Sequence, residues 1–149
     1  MGKDNKVEVR FSSIGENVAL ARMVLSGFLL PYDLTYEIVD EIKIALSEAV
    51  TNSIIHAYGE VDNQMVILRM SLQADLLTIE IEDNGVGIPD IRQALEPAYS
   101  TKEEHMGLGF VFMQTFMDEV EVYSEVGRGT KVILRKQLLA EEQVISEVG

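Results

Sequence analysis

The sequence predicts an α+β fold, a two-layer sandwich with helices packed on one face of a mostly antiparallel sheet. Three observations lead there. Short stretches alternate apolar with polar residues, as half-buried strands do. Two longer stretches carry apolar residues three and four apart, as packed helices do. The order is strand, two helices, two strands, helix, two strands, so helices can gather against strands that return on themselves.

Val7-Glu8-Val9-Arg10-Phe11 alternates and reads as the first strand. A helix follows from Asn17 to Leu30, with Asn17 as its N-cap and Pro31 just past its end. It is apolar almost all round, and Arg22 is its only charge, so it sits deep in the core or meets another chain. Thr35 to Tyr58 reads as one long helix closed by Gly59, with a core stripe through Val39, Ile42, Leu46, Ala49, Ser53 and Ala57. Met65–Ser71 and Leu76–Asp83 are strands joined by a short polar link. After a glycine-rich turn come a short segment, Asp90 to Leu95, and a polar stretch, Glu96 to Met106. A third helix is predicted from Leu108 to Met117. Val120–Ser124 and Thr130–Arg135 form a hairpin around Gly127-Arg128-Gly129. Residues 1–138 are read as one domain and 139–149 as a loose acidic tail.

Composition narrows the function classes. Acidic residues outnumber basic ones 25 to 12, for a net charge of −13. Such a surface repels nucleic-acid phosphates and attracts a basic protein, and a polyphosphate ligand would need a metal ion beside it. The absence of cysteine removes disulfides, thiolate zinc sites and cysteine nucleophiles. Residues 1–10 lack the apolar core of a signal peptide, and no apolar run approaches the roughly 18 to 20 residues that span a bilayer. A cytoplasmic protein is expected.

Glu48 and Asn52 are four apart and share one helix face at the edge of the core stripe. Alone they fit a solvated pair as well as a cleft. Asp83-Asn84-Gly85-Val86-Gly87 follows a strand. An Asn-Gly hairpin is the simpler reading, but the residues after Pro89 look helical rather than like a returning strand. Glycines here let the backbone approach a flat ligand, and an Asp at a strand end can accept from an exocyclic amine such as that of adenine. Gly107-Leu108-Gly109 is placed at a helix start, where free amides bind anions, although a flexible entry to a core helix explains it too. Neither a P-loop nor a complete G-x-G-x-x-G is present. His56 and His105 are read as structural or surface residues rather than metal ligands.

Taken together, the motifs resemble the GHKL ATPase/kinase superfamily, whose fold is of Bergerat type. Glu48-Ala49-Val50-Thr51-Asn52-Ser53-Ile54-Ile55-His56 is similar to its N-box. Asp83 to Gly87 looks like the first glycine box, Gly107-Leu108-Gly109 the second, and Gly129-Thr130 the final small motif. Within the superfamily, Ser47 to Asn52 and Phe116-Met117-Asp118-Glu119-Val120 resemble anti-sigma factor serine kinases of the sporulation type. The resemblance implies that ATP or ADP binds with Mg²⁺. Asn52 would hold the metal against the phosphates, Asp83 would read the adenine amine, and Thr130 would support that end. Gly85 and Gly87 would admit the base, Gly107 and Gly109 would cap the phosphates, and Glu48 would take the proton from a serine hydroxyl. It departs at the lid, where the family has a longer segment with an arginine. His105 stands at that place here, and Lys102 is the candidate to neutralise the γ-phosphate.

The implied partners are a sigma factor, silenced by binding, and an anti-anti-sigma factor, phosphorylated on serine. Arg22 is a candidate contact, and a homodimer is implied. Two rivals remain. One is the ATP-binding half of a histidine kinase, disfavoured because only six residues precede the first strand. The other is a nucleotide-gated binding protein that transfers no phosphate.

Overall fold

A computed structural model describes residues 3–59, 63–95 and 101–138, with side chains from Met106 onward in the last stretch. The strands are β1 (Asn5–Ser12), β2 (Met65–Gln73), β3 (Leu76–Asp83), β4 (Glu119–Glu125) and β5 (Gly129–Gln137). They lie in the order β1-β2-β3-β5-β4, each antiparallel to its neighbours. The helices are α1 (Glu16–Leu29), α2 (Tyr36–Asn52), α3 (Ile91–Ala94) and α4 (Thr101–Phe116). This is the α+β class the sequence predicts.

Strand parity decides what each face carries. In β3, Leu77, Ile79 and Ile81 are buried among the helices, while Thr78, Glu80 and Glu82 look the other way. The outward parity holds ion pairs, among them Arg69 to Glu82 at 2.7 Å and Arg135 to Glu121 at 2.7 Å. Continuing the count, Asp83 falls on the apolar side, and its register partner Thr130 precedes the buried Val132 and Leu134 on β5. A carboxylate thus ends a core strand facing the helices.

Three expectations need correction. Asn17 does not cap α1; its amide donates to Ser12 O at 2.8 Å, and the helix starts at Glu16 behind Gly15 with no side-chain cap. The long helix is not uniform. Thr35 caps it, accepting from Ile38 N at 3.2 Å, but the α-helix ends at Asn52 and Ser53–Ala57 continues as a π turn. Such one-turn insertions widen the helix and free carbonyls near functional residues, and no local propensity announces them. Finally, α4 begins at Thr101, so much of the expected polar stretch is helical. Lys, Glu and Met are good helix formers, and acidic residues suit a first turn, even without an apolar stripe. α1 is buried along one side only. Ala21, Leu25, Phe28 and Leu29 are buried, whereas Leu20, Met23 and Leu30 are exposed.

Candidate functional site

The π turn places a wall of the site. Ala57 O accepts from Val86 N at 3.1 Å, so the glycine-rich loop after β3 is pinned to the helix end. The loop lies so close that a Cβ on Gly85 would sit 2.5 Å from Ala57 Cβ. Its other side is held by the β4–β5 hairpin: Gly127 N donates to Val86 O at 2.9 Å, and Ile88 N to Ser124 Oγ at 2.7 Å. Gly87 has φ +80° and faces Glu125 O with no room for a side chain. Tyr58 fixes the loop's first residue, accepting from Asn84 N at 2.6 Å while donating to Met65 O at 2.9 Å.

Asp83 sits beneath this loop and is 4% exposed. Its Oδ1 accepts from Gly85 N at 3.0 Å and Thr130 N at 3.2 Å, and its Oδ2 from Ser53 Oγ at 3.0 Å. Charge-assisted bonds of this kind stabilise by about 1.5–3 kcal/mol each, against a desolvation cost of several kcal/mol for a buried carboxylate. Desolvation wins: burial pushes the Asp83 carboxyl up, although the Gly85 amide, the Ser53 hydroxyl and the Thr130 amide pull it down. Oδ1 has both acceptor positions used, and Oδ2 keeps one open.

At the other end, Glu48 and Asn52 face α4. A methyl placed on Gly109 would lie 2.9 Å from Glu48 Oε2 and 3.5 Å from Asn52 Nδ2, so the glycine leaves space in front of both. Asn52 Nδ2 is buried without a hydrogen-bond partner. Since the two amide atoms are assigned by network, either orientation leaves a polar atom there to be satisfied. Mg²⁺ takes few protein oxygens and keeps the rest for water and phosphate, so one carboxamide oxygen beside a carboxylate fits it. Among the described residues no cluster of three or more His, Asp or Glu groups could hold a metal ion.

Both ends line one cleft. A narrow cavity of about 30 Å³ is walled by Ala49, Asn52, Asp83, Met106, Phe110 and Thr130, among others. It adjoins a wider one of about 510 Å³, with which it shares His56, Ala57, Gly87, Ile88 and Met106. The narrow part holds about one water.

The structure thus gathers Glu48, Asn52, Asp83, Gly85, Gly87, Gly109 and Thr130. Gly107 and Gly109 are not at a helix start, because α4 begins at Thr101; both are buried inside the helix. Gly109 contributes space rather than free amide donors. The side chains of Lys102 and His105 lie outside the described ones, and so do residues 96–100 and the tail 139–149. Arg22 stands apart on α1, exposed, donating to Ser47 Oγ of α2 at 3.3 Å. Sequence reasoning missed Ser53, His56, Tyr58 and Ser124 as parts of the site. For Ser53 the signal was there, since a hydroxyl in a core stripe needs a buried partner.

Residues 11–136 match the family model described as a histidine kinase-like ATPase domain. The chain belongs to that family. Membership implies nucleotide binding. The chain is 44% identical over 137 residues to the anti-sigma F factor of Clostridium perfringens strain SM101, covering 91% of this chain and 98% of that one. It is 41% identical over 136 residues to the anti-sigma F factor of Geobacillus kaustophilus, covering 90% and 93%. In solved structures, the RsbU and RsbW domains of a Mycobacterium tuberculosis protein superpose with a TM-score of 0.63 at 16% identity. That match spans 90% of this chain and 32% of the other. A histidine kinase domain from Erythrobacter litoralis gives 0.57 at 20%, spanning 89% and 64%. These two likenesses concern the fold. Among the described residues no helix is long and apolar enough to cross a membrane.

Proposed function

We propose that the chain is an anti-sigma factor and a protein serine kinase that binds ATP with Mg²⁺. The observation that carries this reading is one cleft with a fixed acceptor at one end and a carboxylate–carboxamide pair at the other. Asp83 Oδ2 has an open position suited to the adenine amine, with Thr130 beside it. Gly85 and Gly87 let the loop pack tightly between Ala57 and the β4–β5 hairpin, and this loop is the surface proposed to meet the base. Asn52 would hold Mg²⁺, which supplies charge compensation for the phosphates when bound. Glu48, one turn away, takes the proton as a serine oxygen attacks the γ-phosphorus and ADP leaves. Gly109 allows α4 to pass close to that end, Gly107 and Gly109 are proposed to cap the phosphates, and Lys102 is the cation proposed to reach the γ-phosphate.

The partners follow from the relatives, named anti-sigma F factors and alike over nine-tenths of the chain. A sigma factor would be held and silenced, and an anti-anti-sigma factor would supply the serine, as partner switching in sporulation requires. Arg22, flanked on α1 by exposed Leu20 and Met23, is the proposed protein contact. A cytoplasmic homodimer completes the reading; light scattering that finds a monomer at micromolar concentration would remove that element.

The test is a phosphotransfer assay with Mg-ATP and the anti-anti-sigma protein of the same genome, read by mass spectrometry. Wild type should form phosphoserine, and Glu48→Ala should slow it by about 10²- to 10⁴-fold while keeping ATP binding. ATP binding without any phosphoserine would instead favour a nucleotide-gated binder. Phosphate appearing on histidine would favour the histidine-kinase reading.

A further inference from the structure

Asp83, Thr130 and Ser124 form one row across three neighbouring strands. Asp83 is the register partner of Thr130, and Thr130 of Ser124. Thr130 lines the narrow cavity beside Asp83. Ser124 touches three polar atoms: Ile88 N at 2.7 Å, Gly129 O at 3.1 Å and Thr130 Oγ1 at 2.8 Å. Sequence and family motifs gave this serine no role.

A hydroxyl has one proton to give and two lone pairs to receive with. The Ile88 amide can only donate, so it takes one lone pair of Ser124. The Gly129 carbonyl can only accept, so the Ser124 proton belongs to it. The second lone pair then remains for Thr130, whose hydroxyl must be the donor in that contact. With the opposite polarity, Ser124 Oγ and Gly129 O would be two acceptors facing each other at 3.1 Å. One arrangement satisfies all three contacts, and the other leaves one repulsive.

The consequence lies on the cavity side. With its proton directed at Ser124, Thr130 Oγ1 has only lone pairs left to offer a ligand. Asp83, which also lines this cavity, offers a lone pair of its Oδ2, the oxygen on the Ser53 side. The Asp83–Thr130 pair therefore accepts twice and donates nowhere.

We propose that Ser124 is a positioning residue that locks the Thr130 hydroxyl as an acceptor, so that the Asp83–Thr130 pair selects a base edge carrying an amine. The inference rests on the reading of the cleft as an adenine nucleotide site. It adds a device that sets base preference without touching the base. An edge with only acceptors meets two more acceptors and leaves buried lone pairs opposed. An amine meets partners.

The test compares ATP with purine riboside 5′-triphosphate, which has hydrogen where ATP has the amine. Isothermal titration with Mg²⁺ on the full chain gives the ratio of the two dissociation constants. Wild type should prefer ATP. Ser124→Ala frees the Thr130 hydroxyl to turn and donate to the ring nitrogen, so the preference should narrow by about five- to tenfold. Ser124→Thr keeps the hydroxyl and should keep the preference. Equal weakening of both ligands in Ser124→Ala, with an unchanged ratio, would make Ser124 a mere clasp on the Ile88 loop and overturn the proposal. So would a narrowed ratio in Ser124→Thr. A wild type that binds neither nucleotide would remove the nucleotide reading and this inference with it.

Discussion

The two ends of the cleft are built on opposite principles. Around Asp83 every neighbour is committed: two amides and a hydroxyl bond the carboxylate, and Tyr58, Ala57 and Ser124 pin the loop above it. Around Asn52 a buried amide atom has no partner, and a glycine leaves room beside it. A rigid Asp83 end would present a fixed pattern to a ligand with little ordering entropy to lose. The Asn52 end keeps an unmet demand, which the proposed metal and phosphates would satisfy. Stability and binding should therefore respond differently at the two ends.

The largest expected effect is at the clasped loop. Gly87→Ala puts a side chain at φ +80° against Glu125 O, which should destabilise the fold by at least about 2 kcal/mol, read by urea denaturation. A wild-type midpoint would show that the loop gives way easily, and the contrast between the ends would fade.

Asp83→Asn should separate binding from stability. With Oδ1 still receiving two amides, the new NH₂ replaces Oδ2 and meets the base amine donor to donor. ATP affinity should fall at least about tenfold by titration. The pH dependence has a definite sign. Burial raises the folded-state value above the ordinary 3.8, so this group's stabilisation is complete below about pH 3.8 and is lost as pH rises through the raised value. At neutral pH the carboxylate is a standing cost that the amide does not carry. Melts at pH 4 and pH 7 should show the variant gaining on wild type at the higher pH. A pH-independent difference would mean that the hydrogen bonds offset burial in full.

The smallest stability effect belongs to the open end. Asn52→Leu removes an unsatisfied polar atom at similar volume, so thermal stability should hold or rise by up to about 1 kcal/mol while Mg-ATP binding is lost. A clear drop in melting temperature would show that Asn52 is already satisfied and that the two ends are alike.

The β3 alternation already implied that Asp83 faces inward, since it is the next step after Leu77, Ile79 and Ile81. Likewise the four-residue spacing put Glu48 and Asn52 on one helix face. Both are consequences of local geometry, and local geometry is what a pattern of residues encodes. The start of α4 was not legible, because its first turn is polar and its glycines resemble a break. Nor was the π turn, which depends on what the helix end must meet.

By itself, then, the sequence determined the sheet-and-helix class, the Glu48–Asn52 face and the family. Periodicity and short motifs carry that information within a few residues of chain. Only the tertiary structure decided that Ser53, Tyr58 and Ser124 hold Asp83 and the loop above it, that Gly109 faces Glu48, and that Asn52 is left wanting. Those facts depend on hydrogen bonds and close approaches between segments tens of residues apart, whose partners are fixed when the core packs.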